Sequence, residues 1–479
     1  MLSLRRPARH AVPIKSKVTP ARLGLAAALA ASALGAVGAS LAAATPSVTI
    51  NVNPSYNASN CTTASLQCPT IQEGIELART YSNTNLTISI APGTYVENPV
   101  IRSFPSGDTL AIRGSGSSKT IINGSTHTNS SGLTSYSVLW NHQTKTNVII
   151  ADLSLTKGIS PNGGALYSDG GSVQLYNIEA DHNAATGFPG IGGAIVNHSG
   201  QMEIFNSTLA DNSASKAGGA IYNDGYLVVE ESTLYNNFGP YANAVYNTIF
   251  GTSYLNFDTV HDPSSTGPGL YNFNTKSNFA VGTTILDNAG CNGSGKGITD
   301  SGYNVESDNS CSFGATSKVN SSTINLAPLS YYGGPGPLTA AIDPTSSAFE
   351  IVPTGSPCFI TNDERYVTRP GITGQNCDAG AYEYSANLVI TASSSTITYG
   401  TTPTVTPSYS ATVVGIGPVT PNLSHLSGLT CSTTATAASA PGTYPTTCSG
   451  ATDPDYNISY VPGTLTIVPA KLAFLTSPV

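Results

Sequence analysis

The sequence predicts an all-β protein in which a parallel β-helix is followed by a small β-sandwich-like module. Two observations carry this prediction. Residues 163–288 repeat with a period of about 25, because the blocks GGALYS, GGAIVN, GGAIYN, ANAVYN and GPGLYN end 29, 26, 24 and 25 residues apart. Residues 387–469 are then rich in Ser, Thr and Pro, with short alternating runs about every ten residues.

Each repeat holds three short runs in which apolar and polar residues alternate. In the cleanest copy the runs are Gly219–Asn223, Tyr226–Val229 and Ser232–Asn236, separated by Gly, Asn and Asp. This pattern reads as strand, turn, strand, turn, strand. A single coil of this kind cannot bury its apolar face alone, so the coils are expected to stack.

Polar residues recur in two columns along the repeat. The first column contains Ser168, Asn197, Asn223, Asn247 and Asn272. The second contains Asn183, Asn212, Asn237 and Asn288, with Pro263 interrupting it. Asn tolerates the left-handed turn conformation, and its amide can bond to the same amide one rung away. Both columns therefore need only a structural explanation.

The GGA(I/L) blocks and the downstream Asn blocks resemble the repeats of polymorphic outer-membrane proteins. They also look like the pectin-lyase-like superfamily, which implies a right-handed parallel β-helix. The preceding stretch CPTIQEGIELART places Ile71, Ile75 and Ala78 on one helical face, and a PGTY turn follows at 92–95. This order resembles the N-terminal cap of pectin-lyase-like proteins, and an uncapped solenoid end would aggregate.

Two further resemblances cover the rest of the chain. The words LAPL (326–329), GGP (333–335), GSP (355–357) and CDAGAYE (377–383) resemble the choice-of-anchor Q domain over roughly 60–385. Cys358-Phe359-Ile360 stands where that family usually has Ala-Ile-Asp. The words TITYGTTP and DYNISYVPGTLTI resemble the MBG domain of the YGX type. They imply a turn at Tyr399–Thr401 and a last hairpin from Asn457–Tyr460 to Gly463–Leu465.

Composition and order of segments indicate an extracellular protein. Six of the 19 basic residues precede position 23, and all 27 acidic residues follow position 72, so a nucleic-acid partner is disfavoured. A basic start, an Ala/Leu run and Ala42–Ala44 predict a cleaved secretion signal, with an uncleaved membrane anchor as the alternative.

The predicted segments are 1–44, signal; 45–325, capped β-helix; 326–386, closing segment of the choice-of-anchor Q domain; 387–469, MBG-type module; 470–479, the start of a further module or a tail.

The eight cysteines fall as four near neighbours. They are Cys61/Cys68, Cys291/Cys311, Cys358/Cys377 and Cys431/Cys448. An even number after a secretion signal favours disulfides, and sequential pairing would close four short loops. Connectivity is not fixed by the sequence. Metal binding by these thiols is the poorer interpretation because no CxxC motif and no nearby His pair is present.

One column of residues deserves comparison with the active sites of polysaccharide-degrading enzymes. It contains His182, Asp211, Asn236, Asp262 and Asp287. With rungs about 4.8 Å apart, Asp262 and Asp287 would suit a retaining glycosidase, and Asp211 and Asp262 an inverting one. The column repeats in register at a turn and lacks nearby bases, so a structural role is favoured. Weak Ca²⁺ binding by Asp211, Asp262 and Asp287 is the alternative, and no other cofactor is expected.

Aromatic and histidine side chains give the remaining candidates. Tyr167, Tyr222, Tyr246 and Tyr271 adjoin the first Asn column. Because neighbours of inward residues face out, they are expected to form an exposed stack that could bind sugar rings or protect the sheet. His127, His142, His198 and His261 occur in turn regions without a Ser or Cys partner at a recognisable spacing, so surface or packing roles are expected.

The sequence therefore predicts a secreted bacterial cell-surface protein without enzymatic activity. Its expected role is adhesion to, or recognition of, an extracellular glycan, a host surface or a neighbouring cell. No membrane span is expected in the mature chain. The alternatives are a polysaccharide lyase or glycoside hydrolase acting on the β-helix flank, and a structural stalk of the envelope. Architecture and resemblance support these functions, whereas no single site does.

Overall fold

The fold is that of a computed structural model, which describes residues 46–104, 109–125, 137–142, 146–264, 267–273, 278–292, 297–355, 357–453 and 455–470. The predicted signal at 1–44 lies outside the described residues, as do residues 471–479 of the predicted tail. Among the described residues no helix is long and apolar enough to cross a membrane.

The N-terminal part contains one helix and the first strands of a parallel β-helix. Its elements are β1 (Ser47–Val52), a 3₁₀ turn (Ala58–Asn60), β2 (Gln67–Cys68), α1 (Ile71–Ala78), β3 (Asn85–Ile90), β4 (Gly93–Val96), β5 (Val100–Ile101), β6 (Thr109–Arg113), β7 (Thr120–Asn123), β8 (Leu139–Asn141), β9 (Asn147–Thr156) and β10 (Ile159–Ser160). The side chain of Thr70 accepts a hydrogen bond from Glu73 N and caps α1. The predicted helical face is buried: Ile71, Ile75 and Ala78 are each 0% exposed.

The repeat region continues the same β-helix. Its strands are β11 (Leu166–Asp169), β12 (Ser172–Asp181), β13 (Ala184–Ala185), β14 (Ile195–His198), β15 (Gln201–Phe205), β16 (Thr208–Ala210), β17 (Ser213–Ala214), β18 (Ile221–Asn223), β19 (Tyr226–Glu230), β20 (Thr233–Tyr235), β21 (Val245–Asn247), β22 (Thr252–Asn256), β23 (Thr259–His261), β24 (Leu270–Asn272), β25 (Phe279–Gly282), β26 (Ile285–Asp287), β27 (Ile298–Gly302) and β28 (Val305–Glu306). The predicted parallel β-helix is confirmed.

The strands stack into three long parallel sheets and one short one, which contains β10, β13 and β17. The first sheet contains β1, β3, β6, β9, β12, β15, β19, β22, β25 and β27. The second contains β4, β7, the later halves of β9 and β12, β16, β20, β23, β26 and β28. The third contains β5, β8, β11, β14, β18, β21 and β24. Inward residues of all three sheets, such as Leu175, Leu209 and Ile221, form one continuous apolar core.

The two Asn columns form buried amide ladders, as predicted. In the first, Nδ2 of Asn197 donates to Oδ1 of Asn223 at 2.8 Å, and Asn223 donates onward to Asn247 at 2.9 Å. In the second, Asn183 donates to Asn212 at 3.0 Å, and Asn212 donates to Asn237 at 3.0 Å. Each amide thus satisfies a neighbour inside an apolar core.

The left-handed conformation, however, lies one residue earlier than predicted. It occurs at His182, Asp211 and Asn236, which precede the second ladder, and not at Asn183, Asn212 or Asn237. The physical reason is that the two adjacent residues have different roles. The outer residue adopts the left-handed conformation of the bend, and the inward Asn forms the amide hydrogen bonds of the ladder. Asn288 is itself left-handed and exposed, so the prediction that it belongs to the second ladder is wrong. Another left-handed column separates the first sheet from the second; it contains Asp152, Asn177, Asn206, Glu231, Phe257 and Thr283.

The described residues of 307–385 form no strand longer than an isolated bridge, and parts of this segment lie along the turn column. We call the turn column and the chain over it the covered flank. Asn177 Nδ2 donates to Pro335 O at 3.3 Å, and Asn206 Nδ2 donates to Asp363 O at 2.9 Å. Further along, Gly380 N donates to Thr283 O at 2.8 Å. Successive rungs therefore contact successive parts of the closing segment.

The C-terminal module consists of two four-stranded sheets, as expected for a β-sandwich-like module. Its strands are β29 (Ala386–Ala392), β30 (Ser395–Thr398), β31 (Pro407–Val413), β32 (Gly417–Val419), β33 (Thr430–Thr433), β34 (Gly442–Ser449), β35 (Asn457–Val461) and β36 (Gly463–Val468). The predicted turn at Tyr399–Thr401 is present, with Thr401 N donating to Thr398 O at 3.0 Å.

The predicted last hairpin of the module is wrong. Strand β35 pairs with β29 in one sheet, whereas β36 pairs with β30 and β34 in the other. Only Pro462 separates the two strands, so the chain crosses directly between sheets instead of turning back. A Cβ on Gly463 would lie 2.4 Å from Ala392 O, so the crossing needs a glycine.

All eight cysteines form disulfides, and the sequential pairing is confirmed. The bonds are Cys61–Cys68, Cys291–Cys311, Cys358–Cys377 and Cys431–Cys448. One bond ties the N-terminal cap, one the end of the β-helix, one the closing segment and one the module. Because each closes a loop of 20 residues or fewer, the bonds act locally within their own segments.

Candidate functional site

The outward face of the third sheet carries a row of aromatic side chains, which we call the aromatic row. Its members, one per rung, are Trp140, Tyr167, Val196, Tyr222, Tyr246 and Tyr271. The rings of Tyr222 and Tyr246 stack with centroids 5.3 Å apart, and those of Tyr246 and Tyr271 at 5.1 Å. Tyr167 is separated from this stack by Val196 and contacts Trp140 instead, at 6.3 Å.

Three of the four predicted tyrosines therefore share one stack. Their ring faces cover one another, so the edges and phenol hydroxyls are what the stack presents to solvent. Tyr241, which is 51% exposed, contacts the edges of Tyr246 and Tyr271 at 6.4 and 6.2 Å. It is the ring of this group with the largest exposed fraction.

A second row runs parallel to the first, two residues further along each strand. We call it the His–Asp row, and its members are His142, Asp169, His198, Asp224, Thr248 and Phe273. Nδ1 of His142 lies 3.1 Å from Oδ2 of Asp169, and Nδ1 of His198 lies 3.3 Å from Oδ2 of Asp224. Alternation of the two residue types keeps carboxylates out of adjacent rungs.

Burial raises the pKa of Tyr167, Tyr222 and Tyr246 above that of free tyrosine, which is already protonated at neutral pH. It raises the pKa of Tyr246 to about 12, with further contributions from Tyr222, Tyr271 and Tyr241. Burial, and then the nearby Asp224 carboxylate, raises the pKa of Tyr222. The hydroxyls are therefore hydrogen-bond donors at neutral pH, beside imidazoles and carboxylates that accept. A flat surface with these groups suits a polyhydroxylated ligand.

The predicted Asp column is only partly present. Asp211 and Asn236 are in register, and Asn236 Nδ2 donates to Asp211 Oδ1 at 2.6 Å. Asp262 is in register with Asn236 but is buried, and it accepts hydrogen bonds from Asn243 and Ser264. The prediction is wrong at its last member, because the register pairs Asp287 with His261, one position before Asp262. Asp287 directly precedes Asn288, just as Asp211 precedes Asn212, so the sequence alone does not show this shift.

The same geometry bears on metal binding and on the histidines. Among the described residues, no three or more His, Cys, Asp or Glu side chains are placed to hold a metal ion. Asp287 Oδ2 lies 2.8 Å from Nδ1 of His261, whose ring also contacts Tyr235 at 4.9 Å. His142 and His198 belong to the His–Asp row, and His127 lies outside the described residues.

A buried group of charged residues beneath the closing segment was missed by sequence reasoning. It contains Arg365, Arg369, Glu231, Asp258, Asp363, Glu364, Asp378 and Glu383, each at most 5% exposed. The guanidinium of Arg369 lies 2.8 Å from Glu231 and 2.5 Å from Glu383. That of Arg365 lies 2.5 Å from Asp363 and stacks 3.7 Å from the ring centroid of Tyr382. The clue was the charged run DERYVTR at 363–369, in a chain with only 10% charged residues.

Six buried carboxylates against two guanidiniums cannot all ionise cheaply. Burial raises the pKa of Glu364 to about 8, although hydroxyl donors Thr233, Thr339 and Thr208 oppose this. Burial also raises the pKa of Asp378, and repulsion from Glu383 adds to the effect. Because these side chains are enclosed, a polymeric substrate cannot reach them, and their arrangement suits attachment of the closing segment.

Two part-buried carboxyl groups project from the same face of the first sheet, two positions apart in register. Glu203 and Glu230 lie on adjacent strands β15 and β19, and Gln174 Nε2 donates to Glu203 at 2.7 Å. Burial raises the pKa of Glu230 to about 7; a hydrogen bond with Asn256 lowers it, and Glu203 raises it further. A carboxyl group with a raised pKa near a second carboxyl group is one feature of acid–base hydrolysis.

Comparison with known proteins adds the following. Three solved pectin methylesterases are similar in structure. The rice weevil enzyme has 16% identity and a TM-score of 0.33, and the match covers 47% of this chain and 75% of that one. For an Aspergillus niger enzyme the identity is 13%, the TM-score 0.36 and the coverages 53% and 80%; for the carrot enzyme they are 12%, 0.32, 51% and 74%. A comparison with curated proteins finds no match. Residues 388–466, which form most of the C-terminal module, match the MBG domain of the YGX type.

Proposed function

We propose that the protein is an extracellular surface protein that binds a linear glycan along the open flank of its β-helix without cleaving it. The open flank is the outward face of the third sheet. The observation that carries the proposal is the pair of parallel rows on that face. Stacked phenols occupy three successive rungs, at Tyr222, Tyr246 and Tyr271, and alternating His and Asp side chains occupy the four rungs from His142 to Asp224. A polysaccharide lying along the same axis repeats its hydroxyl groups from unit to unit.

The proposed contacts differ from ordinary sugar stacking. Because Tyr222, Tyr246 and Tyr271 cover one another's faces, their hydroxyls supply most of the recognition, and Tyr241 supplies the exposed ring. Each hydroxyl contributes about 0.5–1.5 kcal/mol as a hydrogen-bond donor. Several weak contacts repeated along a polymer then give useful affinity, which suits attachment to a surface coated with glycan.

The experiment replaces the three stacked tyrosines by Phe at the same time. Retention of the full chain on immobilised pectin, alginate, cellulose and mucin-type glycans is compared with that of the wild type. Loss of three hydroxyl donors, at the energies given above, lowers affinity about tenfold or more for the glycan that is bound. The rings and their stacking stay, so the fold is expected to be unchanged.

The matched control is Tyr226→Phe with Tyr254→Phe on the first sheet. These two rings also pair, with centroids 5.7 Å apart, and each is 37% exposed. Their hydroxyls lie away from the open flank, so retention should equal that of the wild type. Equal loss in both variants, or unchanged retention in the triple variant, would remove the open flank as the binding surface.

A second candidate function is hydrolysis of a glycan at Glu230 with Glu203 on the first sheet. Its support is the raised pKa of Glu230, about 7, beside a second carboxyl group. The same glycan panel tests it when released sugars are measured. Product formation that disappears in Glu230→Gln would replace binding by cleavage as the main activity, whereas retention without product supports the first proposal.

A further inference from the structure

A cleft of about 590 Å³ lies where the closing segment meets the C-terminal module, away from the open flank. Thr373 and Gln375 line it from the closing segment, and His425, Ser427, Asp453 and Asn457 line it from the module. The volume is in the range of small-ligand sites in proteins. None of its described lining residues is Lys or Arg.

The two walls of the cleft are fixed to each other by one amide. Asn457 Nδ2 donates to Gly371 O at 2.8 Å, and Asn457 Oδ1 accepts from Thr373 N at 3.0 Å. Both hydrogen bonds join the module to the closing segment. The cleft is therefore held open by the structure, and a ligand would not have to create it.

One carboxylate of the cleft lacks a partner. Asp453 is 7% exposed, its Oδ1 accepts from Asp455 N at 3.0 Å, and its Oδ2 has no hydrogen-bond partner among the described residues. The next residue in the sequence is Pro454, which has no N–H to donate. A buried carboxylate oxygen without a donor is costly. Oδ2 is shielded from solvent in the wall of the cleft, so a ligand that supplies a donor would reach it through a rotation of the Asp453 side chain.

The neighbouring charges leave Asp453 as the group to be neutralised. Asp455 Oδ2 lies 3.0 Å from His425 Nδ1, and this hydrogen bond raises the pKa of His425. His425 thus forms its ion pair with Asp455, whereas no described cation forms a hydrogen bond with Asp453 Oδ2. The hydroxyl groups of Ser427 and Thr452, 3.0 Å apart, and the amide of Gln375 complete a polar lining of the kind that pairs with sugar hydroxyls.

We propose that this cleft binds an amino sugar with an unsubstituted ammonium group, which donates to Oδ2 of Asp453 while its hydroxyls contact Ser427 and Gln375. A uronic or sialic acid is excluded by the same carboxylate. This site is separate from the open flank and does not depend on glycan binding there. The two can be tested apart, because the triple Tyr→Phe variant leaves the cleft unchanged.

The test is calorimetric titration of the full chain with glucosamine and its β-linked trimer. N-acetylglucosamine, galacturonate and free lysine are the comparison probes. Saturable binding of glucosamine, at least about tenfold tighter than that of N-acetylglucosamine, is expected because a charge-assisted hydrogen bond is lost on acetylation. Equal binding of galacturonate, equally tight binding of lysine, or no saturable binding of glucosamine would overturn the assignment.

Asp453→Asn is the decisive variant, with an expected loss of about tenfold or more in affinity for glucosamine. Asp343→Asn is its matched control, since Asp343 Oδ1 also accepts from the backbone N–H two residues on but lies outside the cleft. If Asp453→Asn fails to fold, Thr373→Lys is the alternative test variant, because it places a cation in the cleft from an exposed rim position. Unchanged affinity in a folded Asp453→Asn or in Thr373→Lys would refute the proposal.

Discussion

The two long flanks of the β-helix solve the problem of buried polar groups in opposite ways. Beside the open flank, Asn197, Asn223 and Asn247 bury neutral amides that satisfy one another from rung to rung. On the covered flank, Arg365 pairs with Asp363, two residues away, and Arg369 lies between Glu383 of the closing segment and Glu231 of the β-helix. The first arrangement extends with every added repeat. The second exists once, and it requires the closing segment to be in place.

This difference also decides which flank is free to bind. The closing segment hides the turn column on the covered flank, so its charges are unavailable to a partner. The open flank hides its polar groups inside the coil and leaves Tyr, His and Asp side chains outside. Repetition inside the coil therefore gives a regular surface outside it, since inward and outward residues alternate along each strand.

The largest effect is expected from breaking the covered flank at Arg369. Arg369→Met removes the partner of two buried carboxylates, Glu231 and Glu383, and should lower the free energy of unfolding by about 3–5 kcal/mol. Urea unfolding followed by circular dichroism measures it. Arg79→Met is the control, because Arg79 forms an exposed pair with Glu76 whose loss costs less than about 1 kcal/mol. Similar values for the two variants would show that the buried ion pairs do not hold the closing segment.

A smaller effect is expected from breaking an amide ladder. Asn223→Ala removes the acceptor of one hydrogen bond from Asn197 and the donor of one hydrogen bond to Asn247, at a cost of about 2–3 kcal/mol in unfolding free energy. The same urea experiment applies. Asn85→Ala, at an exposed strand position, should change stability by less than about 0.5 kcal/mol. A ladder variant as stable as that control would mean that the inward amides are not needed to satisfy one another.

The sequence predicted the repetitive parts well because each repeat shows the same pattern several times. The β-helix, both ladders, the helix before the first rungs and the disulfide pairing follow from such patterns or from near-neighbour spacing. The one-residue shift at Asp287 was missed because the local words HDP and LDN look equivalent, although the strands pair His261 with Asp287. The buried charges were missed because Arg369 and Glu231 are 138 residues apart and nothing in either local sequence marks the contact.

The smallest effect concerns pH and distinguishes the two flanks without disrupting either. The amide ladders do not titrate, so among the buried polar groups of the two flanks only the carboxyl groups of the covered flank make stability depend on pH. Burial raises the pKa of Glu364 from 4.5 to about 8 in the folded protein. The folded state therefore keeps this proton at pH values where the unfolded chain has released it. The stabilisation is complete below pH 4.5 and is lost as pH rises from there to about 8.

We expect the free energy of unfolding to fall over that range with a slope on the order of 1 kcal/mol per pH unit from Glu364 alone. In Glu364→Gln, an amide replaces the protonated carboxyl and can still bond to Thr208 and Thr233, so the dependence on pH should become shallower by that amount. Urea unfolding at several pH values between 4.5 and 8 gives both slopes. Equal slopes would mean that Glu364 is ionised in the folded protein. Another carboxyl group of the cluster would then have to carry the proton that reduces the buried negative charge. Asp378 would be the next residue to replace by Asn, because repulsion from Glu383 also raises its pKa.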